Sequence, residues 1–370
     1  MNPLVELHAF GQSFWYDNIR RKYLTDGAVQ ALLDDDGLRG MTSNPTIFEG
    51  AIGSSDDYDD QIRQLVGDGA DAATIYEALA LADIRAACDL FAPLYHTSGG
   101  GDGYVSLEVS PYLAHDTAGT IAEARRLFQA VARPNLMIKV PATPEGIPAV
   151  RELIAGGINV NITLMFNMAH YEAVSAAYID GLRQWQAQGG NPRAVASVAS
   201  FFVSRVDTAV DKRLAALDDP AAAALMGKSA VANSRLVYQR YKAIFRDRAG
   251  AFADLAAAGA PAQRLLWAST GTKNPAYSDT LYIDELIGPD TVTTMPPATI
   301  DAFRDHGVVA PTLEKDLEEA RLVFDHLAEL EIDLDAITEQ LQADGVAAFA
   351  RSFDSLLATI AAKRDALAGQ

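Results

Sequence analysis

The chain has 370 residues, of which 49% are hydrophobic and 21% charged, and its formal net charge is -19. That composition excludes a disordered or fibrous protein and leaves enough chain to bury a core without disulfide staples. The acidic balance argues against non-specific binding to nucleic acid or to an anionic membrane, so a site for an anionic ligand must gather Lys and Arg locally.

Size alone allows two or three domains, but one α/β barrel also reaches it. The only cysteine is Cys88, which excludes an intramolecular disulfide and the Cys-rich zinc sites. The first residues, MNPLVELHAF, lack a basic segment followed by an apolar run, so no signal peptide is expected. No uninterrupted run of about 18 apolar residues occurs, so no bilayer span is expected and the cytoplasm is the default compartment.

Along the chain, short apolar runs ending in a polar residue alternate with amphipathic stretches, the pattern of βα units on a parallel sheet. Eight strands are predicted, at 12–18, 37–44, 103–110, 135–142, 157–164, 194–200, 263–270 and 290–296. Eight is the number a closed (β/α)8 barrel, or TIM barrel, needs. Helical inserts are predicted after the second strand and after the sixth. Beyond residue 312 the pattern is purely helical. The whole chain therefore reads as one α/β barrel domain, 1–370, with additional helices. A C-terminal helical extension, 312–370, packs on the barrel and carries its charges on a solvated face.

In such a barrel the chemistry sits where the strands end. The first strand ends at Asp17 and the second at Ser43-Asn44. Glu108 lies in the third and Lys139 in the fourth. Asn161 and Thr163 lie in the fifth, Ser200 in the sixth, and the seventh leads through Ser269 and Thr270 to Lys273. A lysine inside a buried strand is costly unless paired or neutral. Desolvation lowers a lysine pKa, and a free amine can attack a carbonyl to form a Schiff base. The alternative is a lysine at a strand end that snorkels to water. Asp17 and Asn44 also read as helix caps, Asn44 with proline at the first helical position. Glu108, between apolar neighbours in SLEVS, does not read as a solvated residue. Ser200, Arg205 and Lys273 suggest an anion site after the late strands, against ordinary surface ion pairs. The segment MGKS at 226–229 lacks the earlier glycine of a phosphate loop, and SGGGDG at 98–103 precedes a strand instead of following one. The six histidines show no recognised ligand spacing, so no metal is expected. His115 and His170 read as structural.

Six segments together resemble the transaldolase family: GMTSNPTIF (40–48), SLEVSP (106–111), IKVPATPEGI (138–147), INVNITLMF (158–166), ASVASFFVSRVD (196–207) and the stretch from WASTGTKNP to TTMP (267–296). They occur in the family's order from about residue 10 to 300. The long helical additions resemble its longer bacterial subgroup. The resemblance implies a (β/α)8 enzyme of class I, free of metal and cofactor. Lys139 would form the imine with a ketose phosphate, and Glu108 would shuttle protons through a water held by Thr163. Asp17 would take the proton from the C4 hydroxyl. Asn44 and Asn161 would hold hydroxyls of the dihydroxyacetone unit, and Ser200, Arg205 and Lys273 the phosphate. Shorter transaldolases commonly have an arginine at the position of Lys273, a bidentate fork instead of a point charge.

The implied reaction belongs to the non-oxidative pentose phosphate pathway. A dihydroxyacetone unit passes from sedoheptulose 7-phosphate to glyceraldehyde 3-phosphate, giving erythrose 4-phosphate and fructose 6-phosphate. Alternatives are a fructose 6-phosphate aldolase, in which a tyrosine usually does the work given to Glu108, a transaldolase of specialised sugar metabolism, and a non-catalytic sugar-phosphate-binding protein. Sugar phosphates are the expected partners, with no nucleic acid or membrane, and the expected state is a monomer or homodimer.

Overall fold

A computed structural model describes residues 2–368. Eight parallel strands close into a barrel in sequence order. They are β1 (Gln12–Asp17), β2 (Gly40–Thr42), β3 (Tyr104–Glu108), β4 (Leu136–Pro141), β5 (Val160–Met165), β6 (Ser197–Phe202), β7 (Arg264–Ala268) and β8 (Thr291–Met295). Each falls within or overlaps its predicted segment. Strands covered by side chains inside and helices outside have no wet face, which is why β5 and β6 are buried at every position. The barrel interior is packed: Trp15 is fully buried, and a Cβ on Gly40 would meet its ring at 2.5 Å. Glycine at 40 lets β2 pass the indole.

The insert between β2 and β3 contains helices Asp59–Gly67 and Ala72–Thr97, and that between β6 and β7 contains Ser204–Leu214 and Ser229–Phe245. Met226–Lys228 of MGKS lie in a turn and Ser229 opens the helix, and residues 98–103 form a turn and bend into β3.

Helices Leu317–Glu329 and Leu334–Ala368 follow the barrel. The second has 35 residues, and an 18-residue window of it has a mean hydropathy of 1.2, so by length and composition alone it could cross a membrane. Charged residues at 335, 339, 344, 351, 354 and 363–365 keep it from being an uninterrupted apolar run. Here the helix packs on Pro45–Gly53, on both helices of the first insert and on Ser204–Leu214. Gln342 ties it to the barrel: the buried Nε2 donates to Ala142 O and to Leu164 O, each at 3.0 Å. Those carbonyls lie just past the ends of β4 and within a bulge of β5. Leu164 there has φ of +62°, a left-handed conformation costly for a residue with a Cβ.

Candidate active site

Parallel register sets the site. Glu108 pairs with Lys139 across β3 and β4, and Lys139 with Asn161 across β4 and β5, so three polar side chains share one level inside the barrel. Thr163 stands two residues further along β5, on the same face. Lys139 is 6% exposed, and its Nζ lies 2.6 Å from Glu108 Oε1 and donates to Ser43 O at 3.1 Å. Burial pushes the Glu108 carboxyl above its ordinary value; Lys139 pulls it back and Asp17 pushes it further up. Thr163 Oγ1 is buried and bonds to no group among the described residues.

Across the barrel mouth, Asp17 is registered with Thr42 on β2 and accepts a 2.7 Å hydrogen bond from its Oγ1. Asn44 is the cap its sequence suggested: Oδ1 accepts from Ile47 N at 3.0 Å at the start of Pro45–Gly53. It also lines a cavity of about 200 Å3, shared with Asp17, Lys139, Thr163, Ser200, Arg205 and Lys273. The capping role therefore does not remove Asn44 from the cavity wall.

One end of this cavity is cationic. Arg205 follows β6 and is partly buried, with its guanidinium 4.9 Å from the centre of the Phe202 ring. Burial pulls Arg205 below its ordinary value with no carboxylate beside it, and neither Arg205 nor Lys273 forms an ion pair among the described residues. Two unpaired cations in a protein of net charge -19 form a site that attracts an anion. The ordinary ion-pair reading fails for both.

Not every predicted residue faces the cavity. Asn161 is fully buried beneath it. Its Nδ2 donates to Ser106 Oγ at 3.0 Å, and its Oδ1 accepts from Ser200 Oγ at 2.6 Å, so it anchors the serine above it. His170 pairs with Glu339 of the C-terminal helix at 2.9 Å, and the exposed His115 with Glu145 at 3.0 Å; both are structural. Sequence reasoning missed Thr42, which buttresses Asp17, and Phe349, which reaches the cavity from the C-terminal helix. The strand-end position of Thr42 was a usable signal for the first.

A larger cavity, about 680 Å3, opens at the opposite end of the barrel. Its central charges are already spent on one another, since Asp102 takes Arg264 at 3.0 Å, Arg39 at 3.5 Å and the Ser13 hydroxyl at 2.8 Å. Charges at that face of a barrel serve stability, and it holds no lysine or unpaired acid–base pair.

A buried acid, Asp207, lines a small cavity together with Lys273. Asp207 accepts from Ala230 N at 2.7 Å and from Tyr282 Oη at 2.9 Å. Burial raises its pKa to about 7. The folded state thus holds a proton that the unfolded chain has released, and stability must fall as pH rises toward 7. Between pH 5.5 and 7.5 the loss is about 2 kcal/mol, at up to about 1.4 kcal/mol per pH unit while that proton is retained. Denaturant melts of Asp207→Asn across this range should show a flatter decline; an unchanged slope would remove Asp207 as its source.

The family described as Transaldolase/Fructose-6-phosphate aldolase matches residues 14–360. A protein named Transaldolase from Thiobacillus denitrificans is 49% identical over 360 residues, covering 97% of this chain and 100% of the relative. One of the same name from Parafrankia sp. is 50% identical, covering 97% of each chain. Transaldolase 2 of Nostoc punctiforme is 46% identical, covering 96% of each. With the closed barrel and its lysine-centred site, these matches establish that the chain belongs to the transaldolase/fructose-6-phosphate aldolase family.

Proposed function

We propose that this chain is a transaldolase that moves a dihydroxyacetone unit between sugar phosphates through an imine on Lys139. One observation carries the reading: a buried lysine amine lies 2.6 Å from a carboxylate, at a cavity that is also lined by two unpaired cations. The phosphate of the donor ketose binds Arg205 and Lys273, with Ser200 beside them and Asn161 orienting Ser200. The chain length of the sugar then carries its ketone to Lys139. The amine adds to C2, and Glu108, through a water held by Thr163, protonates the departing hydroxyl. Thr163 suits this role because its buried Oγ1 bonds to no group among the described residues.

Asp17 removes the proton from the C4 hydroxyl, and the C3–C4 electrons flow into the iminium. A protonated imine is a far better electron sink than a ketone, so the cleavage needs no metal or cofactor. The aldose phosphate leaves, and Asn44 helps hold the enamine until a second aldehyde accepts it. Asp17 returns its proton to the new hydroxyl. Different environments for Glu108 and Asp17 support different acid–base tasks.

A carboxylate at 108 to do the proton work that a tyrosine usually does in the aldolase branch favours transfer over release of free dihydroxyacetone. Sedoheptulose 7-phosphate and fructose 6-phosphate are the proposed donors in the non-oxidative pentose phosphate pathway, acting in the cytoplasm. Residues 1–370 are proposed as one domain, since Gln342 bonds the extension directly to two barrel strands.

Borohydride trapping with fructose 6-phosphate tests the reading. Peptide mass spectrometry should find a dihydroxyacetone-derived adduct on Lys139, and erythrose 4-phosphate added before the reductant should discharge it. A folded protein with no adduct on any lysine would refute the imine mechanism for this donor.

A further inference from the structure

We propose that Phe349, on the C-terminal helix, is a specificity-determining residue that keeps the bound three-carbon unit from water until a second sugar arrives. The proposal rests on the imine reading above. Two separate spaces meet at Lys139. One is the cavity of about 200 Å3 with Asp17, Asn44, Arg205 and Lys273. The other measures about 20 Å3, room for a single water, and is bounded by Glu108, Lys139 and Thr163 on its polar side. Apart from Ser110, its remaining wall is apolar and includes Val109, Ala114 and Val346. Three residues line both spaces: Lys139, Thr163 and Phe349. Phe349 is therefore the apolar partition at the junction.

The partition is held firmly. Gln342, Gly345, Val346, Phe349 and Phe353 follow helical spacing along one face. Gln342 fixes the helix to the ends of β4 and β5. Gly345 lets it come close, since a Cβ there would lie 2.8 Å from Leu164 Cδ2. On the other side, the Phe353 ring packs edge-on against Tyr76 at 5.3 Å and Tyr112 at 5.8 Å, and Thr46 donates to Ser352 at 2.9 Å.

The consequence is chemical. After cleavage, the enamine carbon C3 can attack an aldehyde, or it can take a proton. If protonated, C3 becomes a CH2OH carbon and the nitrogen an iminium. Water then adds at C2, the C–N bond breaks, free dihydroxyacetone departs and the lysine amine is restored. Transfer needs one water beside Glu108 and none beside C3. An apolar ring between the two spaces meets both conditions by excluding bulk water.

Phe349→Ala merges the spaces. The ratio of dihydroxyacetone released from fructose 6-phosphate without acceptor to transfer with erythrose 4-phosphate should rise at least about tenfold, with Phe349→Leu in between. Both rates come from one preparation, so the ratio is independent of how much enzyme is folded, and a purely structural role would not move it. A ratio within twofold of the wild type in both variants, while the wild type still yields the Lys139 adduct, would overturn the proposal and leave the imine reading standing. No adduct in the wild type would overturn both. If Phe349→Ala fails to fold, Phe349→Leu decides by the same ratio.

Discussion

Lys139→Ala should lower sugar transfer by at least about 10^4-fold, equivalent to roughly 5 kcal/mol of barrier at 1.36 kcal/mol per decade. No other amine is placed to replace it: of the cavity's remaining cations, Arg205 is a guanidinium and Lys273 follows β7, three strands around the barrel from β4. The fold should survive. Breaking a buried ion pair usually costs 3–5 kcal/mol because a charge is stranded. Here the stranded group is Glu108, whose carboxyl burial already pushes toward its neutral form. Without Lys139 it takes up a proton instead of remaining a buried anion. The variant should therefore melt within a few degrees of the wild type and still bind inorganic phosphate at the cationic end. Transfer within tenfold of the wild type would refute Lys139 as the nucleophile.

Most of the fold was legible because a parallel barrel repeats one local pattern eight times. Apolar strands that end in a polar residue mark both the sheet and the rim of its mouth, so Asp17, Glu108, Lys139 and Thr163 stood among the strand-end candidates, and the family resemblance singled them out. Boundaries were less legible. The second strand was read from 37, but Arg39 N bonds to Phe14 O ahead of the ladder that begins at Gly40. The C-terminal extension was read only as helical from 312 onward, without helix bounds or a docking face. Its last helix begins at Leu334 and uses Gly345 to approach Leu164.

What sequence could not supply was depth and distance along the chain. Asn161 and Ser200 both read as polar strand-end residues; only the register, with Asn161 level with Val198, shows that one lies beneath the other. Phe349 carries no local mark at all. An aromatic on an amphipathic helix reads as packing, and its position beside Lys139, 210 residues earlier in the chain, depends on where Gln342 docks.

Glu108→Gln separates the two carboxylates by function. The amide keeps the volume and can still accept from Lys139 Nζ, but it cannot carry a proton. Imine formation should slow by about 10^3-fold, within the range of about 10^2–10^4 that a positioned acid–base group contributes. Cleavage of an imine already formed depends on Asp17, so the adduct trapped after long incubation should persist. Burial keeps Glu108 protonated to higher pH than an ordinary glutamate. The protonated form must donate when the carbinolamine loses its hydroxyl, so the wild-type rate of imine formation should fall on the alkaline side as Glu108 ionises. Glu108→Gln should abolish that limb. Thr163→Ala, which removes only the anchor for the water, should slow the same step by about tenfold and keep the limb. Rapid-quench trapping across pH reads all three enzymes. If Glu108→Gln forms the imine at the wild-type rate, the proton must travel by another route, and the close contact between Lys139 and Glu108 would serve only to balance charge in the barrel.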